Sequence, residues 1–218
     1  MEGEGTTLQI APNALEGRNR HICAFFNGLD ERYQVLCSFI KEGFDQAERA
    51  VHIVDPQQRA DHLERLREAG IDVERAIGLG QLEVWPWRQA YLRGDRFDQE
   101  AMLALIEDLL GNGGATGYQP TRLLGHMEWA LLDRPGVDDL IEYETRLNQV
   151  LPRYDDAVIC AYDLSKFGAI TVMYALRTHP LVIIGALMYE NPFYADPDQF
   201  LLELREQRPA SVDSRIAD

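Results

Sequence analysis

A carboxylate in an apolar stripe is the feature of this chain that most needs a chemical reason. Val137, Leu140, Ile141, Leu147 and Leu151 recur at about 100° per residue, the spacing of an amphipathic helix. Glu144 projects onto the middle of that stripe, and Asn148 lies beside it. A carboxylate facing a core is costly unless it is paired. Arg122, at the start of the apolar segment TRLLGHME, is the expected partner. Two roles stay open for Glu144: a buried ion pair that fixes helix against sheet, or a ligand contact.

Three other places put polar groups at the ends of apolar runs. Glu128 and Trp129 close TRLLGHMEW. In a nucleotide hydrolase an acid near here holds magnesium and orients water. Without a phosphate loop, Glu128 is instead placed to accept a hydrogen bond from a bound molecule, with Trp129 walling the pocket. A strand-end carboxylate and a core tryptophan are the plain alternatives. Tyr162 and Asp163 close AVICAYD, where Asp163 is most simply a helix cap that also faces the same crevice. Phe26 and Asn27 close HICAFFN and open the loop FFNGLDERYQ. A phosphate loop needs several glycines, a lysine and a serine or threonine, so that bare amides and an ammonium hold the anion. This loop has one glycine, no lysine, and Asp30 and Glu31 at the start of the next helix. Two carboxylates there repel a polyphosphate.

Histidine and cysteine offer less. His21 and Cys23 alternate onto one face of a strand, Cys160 falls on a neighbouring strand, and His52, His126 and His179 lie in ordered segments. No CxxC or HxxxH spacing groups them, so no metal site is assigned and buried thiols and hydrogen-bonded imidazoles suffice. Trp85, Trp87, Tyr91 and Phe97 sit near expected loops, as pocket lining or as packing.

The elements that must hold these residues alternate between strand and helix. The run from His21 to Asp55 reads as strand (His21 to Phe26), loop, helix (Glu31 to Glu42, capped by Asp30) and strand (Ala50 to Val54), a βαβ crossover. Asp55-Pro56 opens a second helix and Ile71 to Gly80 is an irregular connection. Strands follow at Leu82 to Trp85, Thr121 to Glu128, Ala157 to Tyr162, Leu181 to Ile184 and Leu187 to Tyr189. Helices are expected from Asp98 to a stop at Gly111-Asn112-Gly113-Gly114, from Pro135-Gly136 to Leu151, from Asp163 to Thr178 and from Asp198 to Glu206. The pattern implies an α/β fold, with a mostly parallel sheet covered by helices on both faces and an antiparallel edge near the C-terminus. Ligands in such sheets bind outside the carboxyl ends of the strands.

Composition limits the partners. The chain has 218 residues and a net charge of -15, which argues against direct nucleic-acid binding and against an anionic membrane surface. No apolar run approaches a membrane span or a signal peptide. Three cysteines within apolar segments read as free thiols of a cytoplasmic protein. One domain is expected over residues 19–204, with a flexible segment at 1–18 and a polar tail at 205–218.

Several stretches in this order resemble the MEDS (methanogen/methylotroph sensory) domain family: HICAFF, FIKEGF with AERAVHIV, GQLEVWP with YLRGDRFD, GYQPTRLLGHMEW, LIEYETRLN, VICAYDLSKF, THPLVIIG and ENPFY. The resemblance implies a RecA/KaiC-like fold lacking the phosphate loop, in agreement with the reading of the segment from Asn27 to Tyr33. It also implies sensing of a small molecule and output through a DNA-binding regulator, a kinase or an anti-sigma factor. The expectation is therefore a non-catalytic sensory domain binding a small, apolar or weakly polar molecule. The site would be built from Phe26, Asn27, Arg122, Glu128, Trp129, Glu144, Tyr162 and Asp163. No catalytic residue, cofactor or metal is assigned, and homo-oligomerisation is left open. The alternatives are a nucleotide-binding enzyme with a remnant ATPase site and a ligand-free interaction domain.

Overall fold

The sheet that carries these side chains is apolar on both of its faces, which is why it can be mostly parallel. The computed structural model describes residues 7–12, 19–111 and 117–207. Its strands are β1 (Gln9–Ile10), β2 (Arg20–Phe26), β3 (Arg49–Val54), β4 (Leu82–Pro86), β5 (Thr121–His126), β6 (Ala157–Asp163), β7 (Leu181–Ile184) and β8 (Leu187–Glu190). They form one sheet in the order β1-β8-β7-β2-β6-β5-β3-β4. The β7–β8 pair is antiparallel and the other pairings are parallel.

The helices are α1 (Leu29–Asp45), α2 (Arg59–Glu68), α3 (Val73–Gly78), α4 (Gln99–Gly111), α5 (Leu140–Val150), α6 (Ala169–Thr178) and α7 (Pro197–Gln207). Strand alternation splits the core in two. Ile22, Ala24, Phe26, Leu124 and Ile159 pack under α1, α2 and α3. Cys23, Phe25, Leu123, Val158, Cys160 and Tyr162 pack under α4, α5 and α6. The α/β class, the mostly parallel sheet and the antiparallel pair near the C-terminus agree with the sequence reading.

Several local expectations are corrected. Gln9 and Ile10, in the segment read as flexible, pair with Leu187 and Met188 and lengthen the sheet beyond β8. The connection from Ile71 to Gly80 contains α3, capped by the Asp72 side chain accepting from the Arg75 amide at 3.1 Å. β5 stops at His126, and Met127–Leu131 is a 3-10 helix that turns Glu128 and Trp129 out of the sheet plane. Neither Asp55 nor Asp163 caps a helix, because α2 begins at Arg59 and α6 at Ala169. Of the expected stop after α4, residues 112–114 lie outside the described residues.

Gly136 shows how tightly the loop before α5 is held. Its φ is 85°, and an added Cβ would lie 2.1 Å from the Phe97 carbonyl oxygen. Phe97 itself donates its amide to Pro135 O at 2.9 Å. Gly136→Ala meets both a left-handed backbone and a backbone clash, so it should cost about 3 kcal/mol of unfolding free energy in urea titration. A cost under about 0.5 kcal/mol would show that the segment at Phe97 yields.

Candidate functional site

The eight residues expected to share one crevice fall into separate neighbourhoods. At the carboxyl ends of β2, β5 and β6 stand Asn27, Glu128 and Asp163, joined by Arg32 and Lys166. Arg32 lies on the buried side of α1 with Val35, Leu36 and Ile40, fully enclosed, and its Nη2 donates to Glu128 Oε1. Lys166 Nζ approaches Glu128 at 3.9 Å and Asp163 at 3.5 Å.

The loop from Phe26 to Tyr33 is closed by its own acids. Glu31 Oε2 accepts from the Asn27 amide at 2.7 Å, and Asp163 Oδ1 accepts from the Gly28 amide at 3.1 Å. Asp163 Oδ1 also takes the amide and hydroxyl of Ser165, at 3.0 and 2.6 Å. Burial would raise the Asp163 carboxyl, but the hydrogen bonds from Ser165 and the charge of Lys166 outweigh it and hold it low. Free amides at the start of a helix are the donors that hold phosphate, and here two carboxylates already use them.

Unpaired polar atoms concentrate behind this loop. Arg32 Nε and Nη1, Glu128 Oε2, both ring nitrogens of His126 and Trp129 Nε1 are buried without a hydrogen-bond partner among the described residues. Buried polar groups are otherwise almost always paired. In front of Glu128 lies a cleft of about 600 Å³, lined by Asp55, Trp87, Arg88, Leu92, Leu131, Leu132, Arg134 and Lys166. Its walls therefore mix apolar and charged surface.

On the same side of the sheet, under α1 and α2, three imidazoles meet. His62 Nδ1 faces the Tyr33 hydroxyl at 2.8 Å, and His62 Nε2 faces His52 Nδ1 at 2.9 Å. The His126 ring stands edge-on to His62 with centroids 5.6 Å apart. Burial lowers His52 to about 4. Burial lowers His62 and His126 well below the usual range, helped for His62 by His52 and for both by the Arg32 charge.

Glu144 lies on the opposite face, under α5 and α6. It is fully buried, as its place on the apolar stripe implies, but Arg122 is not its partner. Glu144 Oε2 lies 3.0 Å from His21 Nε2, 3.3 Å from His179 Nε2 and 3.6 Å from Cys160 Sγ. Tyr162 donates its hydroxyl to Glu144 Oε1 at 3.3 Å. Burial would raise the Glu144 carboxyl, yet the His179 and His21 rings beside it hold it down at about 2. Burial and the His179 charge pull His21 down to about 4, against the pull of Glu144.

Arg122 fails as the partner for a reason of register. Odd-numbered Leu123 faces α5, so Arg122 faces α1, and it sits at the amino end of β5. There it pairs with Glu48, reaches Glu42 at 3.3 Å and lies over the Phe39 ring at 4.0 Å. Phe26 and Tyr162 are fully enclosed core residues on opposite faces of the sheet. Trp129 is enclosed too, stacked on Tyr91 with centroids 4.6 Å apart. Of the expected set, Asn27, Glu128 and Asp163 stand at the carboxyl ends of the strands, and Glu128 lines the cleft there.

Sequence reasoning passed over Arg32, Lys166 and His62, and weighed His179 only among the other histidines without assigning it. Arg32 carried the same signal as Glu144, a charge on the helical stripe that includes Leu36 and Ile40. His179, next to a strand-opening proline, carried none.

A mostly parallel sheet with a charged group at its carboxyl ends and a second polar cluster buried beneath α5 defines an open-sheet α/β domain. Residues 20–180 match the profile of the MEDS family, the MEthanogen/methylotroph, DcmR Sensory domain, and the chain belongs to that family of sensory domains. It is 30% identical over 160 residues to the transcriptional repressor DcmR of Methylorubrum extorquens, a match covering 73% of this chain and 57% of the repressor. The chain thus spans little more than half the length of that relative. Among solved structures it is similar to a KaiC-like protein from Pyrococcus horikoshii OT3, with a TM-score of 0.49 and 16% identity, covering 82% of this chain and 70% of the other. Among the described residues no helix is long and apolar enough to cross a membrane.

Proposed function

We propose that this domain senses a small molecule in the cleft at the carboxyl ends of its strands, without catalysis, and passes the change to a regulatory partner. The observation that carries the reading is the buried, incompletely paired group of Arg32, Glu128 and His126 behind a cleft of about 600 Å³. A ligand with a hydrogen-bonding end would meet Glu128, the member of this group that lines the cleft, while Trp87, Leu92, Leu131 and Leu132 take its apolar part. The volume suits a small organic molecule. Nucleotide is disfavoured because a polyphosphate would have to displace the carboxylates of Glu31 and Asp163 from the Asn27 and Gly28 amides.

The similarity to a transcriptional repressor supports transcription regulation as the output, through a DNA-binding regulator, a kinase or an anti-sigma factor. A signal requires that the ligand bind two states of the domain unequally. The 3-10 helix that carries Glu128 is the segment best placed to move, since it joins the cleft to the packing of Trp129. Three free thiols fit action in the cytoplasm.

The test is thermal unfolding of the purified chain with small halocarbons, alcohols and carboxylic acids, and with magnesium-ATP. A ligand present at about 100 times its Kd adds about 2.7 kcal/mol and raises the Tm by several degrees. Glu128→Gln should weaken that response about tenfold or more, since a charge-assisted hydrogen bond to the ligand is lost. Stabilisation by magnesium-ATP alone, with no response to any small organic molecule, overturns the proposal.

A further inference from the structure

The cluster beneath α5 has an electron-rich centre that its own hydrogen bonds cannot neutralise. His179 Nδ1 lies 2.7 Å from the Ala175 carbonyl oxygen, an acceptor only, so that nitrogen carries the proton and Nε2 presents a lone pair. His21 Nδ1 faces Asn148 Oδ1 at 3.2 Å. The Asn148 amide is oriented by its Nδ2, which donates to Thr178 O at 2.6 Å and Glu144 O at 3.1 Å, so its oxygen points at His21. His21 Nδ1 therefore carries the proton as well, and its Nε2 is bare. Both bare nitrogens aim at one carboxylate oxygen, with the Cys160 sulfur 3.6 Å from that oxygen and 3.6 Å from His21 Nε2. His179 Nε2 has no hydrogen bond, though it is fully buried.

Two lone pairs, a carboxylate and a sulfur converging in a sealed core call for a cation. One ligand atom from each of His21, Glu144, Cys160 and His179 lies within 4.8 Å of the others. Metal–ligand lengths of about 2.0–2.3 Å in tetrahedral geometry place ligand atoms about 3.3–3.6 Å apart. Three of the contacts, at 3.3, 3.6 and 3.6 Å, match that range, and the His21–Glu144 contact at 3.0 Å is slightly shorter. The Nδ1 contacts to Asn148 and Ala175 are the outer partners that metal-binding imidazoles use to fix their tautomer.

We infer that His21, Glu144, Cys160 and His179 form a tetrahedral site for a zinc-class divalent ion. Four protein ligands without an open position make it a structural site. It ties β2, β6, α5 and the turn between α6 and β7 together through one atom. Binding forms four metal–ligand bonds and breaks the Cys160 S–H bond, releasing that proton to solvent. The short-motif spacing that usually marks zinc is missing because each ligand comes from a different element.

The experiment uses the untagged full chain, purified without chelator. Elemental analysis should find about one zinc per chain, and Cys160→Ser and His179→Gln should each lose most of it. Removing the metal with a chelator should lower the Tm by at least about 5 °C, and zinc should restore it. Because the variants could fail to fold, the wild-type chain is also loaded with cobalt(II) after metal removal. Tetrahedral visible bands and a thiolate-to-cobalt absorption in the near ultraviolet are expected. A folded wild-type chain without bound metal, whose Tm ignores both chelator and zinc, overturns the inference. So does metal retained by folded Cys160→Ser, or a cobalt spectrum without sulfur.

Discussion

Arg32→Met is expected to lower the unfolding free energy by about 3–5 kcal/mol, read as a fall in the urea midpoint at unchanged slope. Arg32 is fully buried and Glu128 is 6% exposed. Methionine keeps much of the arginine stem's volume, so the loss is not chiefly a cavity effect. What it leaves is a carboxylate enclosed among Arg32's former neighbours, with Lys166 at 3.9 Å as its remaining cation. Lys166 is 39% exposed and holds its charge in water, so it compensates poorly. The partner test is Arg32→Met/Glu128→Leu. Removing both charges takes away the desolvation cost together with the attraction, so the double variant should recover most of the loss. If the single variant costs under about 1 kcal/mol, solvent reaches Glu128 freely and the pair is not the sealed element described above. The double variant also separates stability from sensing. It should fold well and respond to none of the ligands that stabilise the wild-type chain, because the groups a ligand would complete are gone.

The sheet was legible because its strands are short apolar runs bounded by turn residues, and their alternation with amphipathic helices leaves few topologies. Glu144 was legible as an anomaly for the same reason: a 3.6-residue period shows which residues face inward. Its partners were not legible. Periodicity gives direction within one element, whereas the Glu144 neighbours come from β2, β6 and the end of α6. Arg122 shows the limit well, since it is one register position from facing α5, and one position reverses the face. The 3-10 helix after β5 was hidden because MEWAL is apolar enough to continue a strand. β1 was hidden because two residues carry no period at all. The acidic loop, in contrast, could be interpreted from residue types alone. Asp30 proved to serve Arg65, and it is Glu31 with Asp163 that occupies the loop amides.

Acid should unfold this protein well before its carboxylates titrate, with about 5 kcal/mol lost between pH 7 and pH 5. The trio of His52, His62 and His126, all buried and all held neutral, supplies that loss, and buried His21, held at about 4, adds to it. Their folded pKa values are lowered, to about 4 for His52, while the unfolded chain titrates near 6.5. The sign follows directly. Below about 6.5 the unfolded chain binds protons that the folded chain refuses, so stability rises with pH there, by about 1.4 kcal/mol per pH unit for each imidazole. The contribution is complete above about pH 7 and falls away toward the folded values. The groups facing the trio reinforce this. Arg32 and Arg59 repel a new positive charge, the Tyr33 hydroxyl already satisfies His62 Nδ1, and Glu128 is committed to Arg32. Urea titrations at pH 7 and pH 5 measure the loss. His126→Leu should remove about a third of the trio's share, because one of its three imidazoles no longer takes up a proton on unfolding. Leucine gives up no hydrogen bond there, since neither His126 nitrogen has a partner among the described residues. A flat profile from pH 7 to pH 5 would mean that the imidazoles charge in place, which requires water or an acceptor to reach His126 from the cleft.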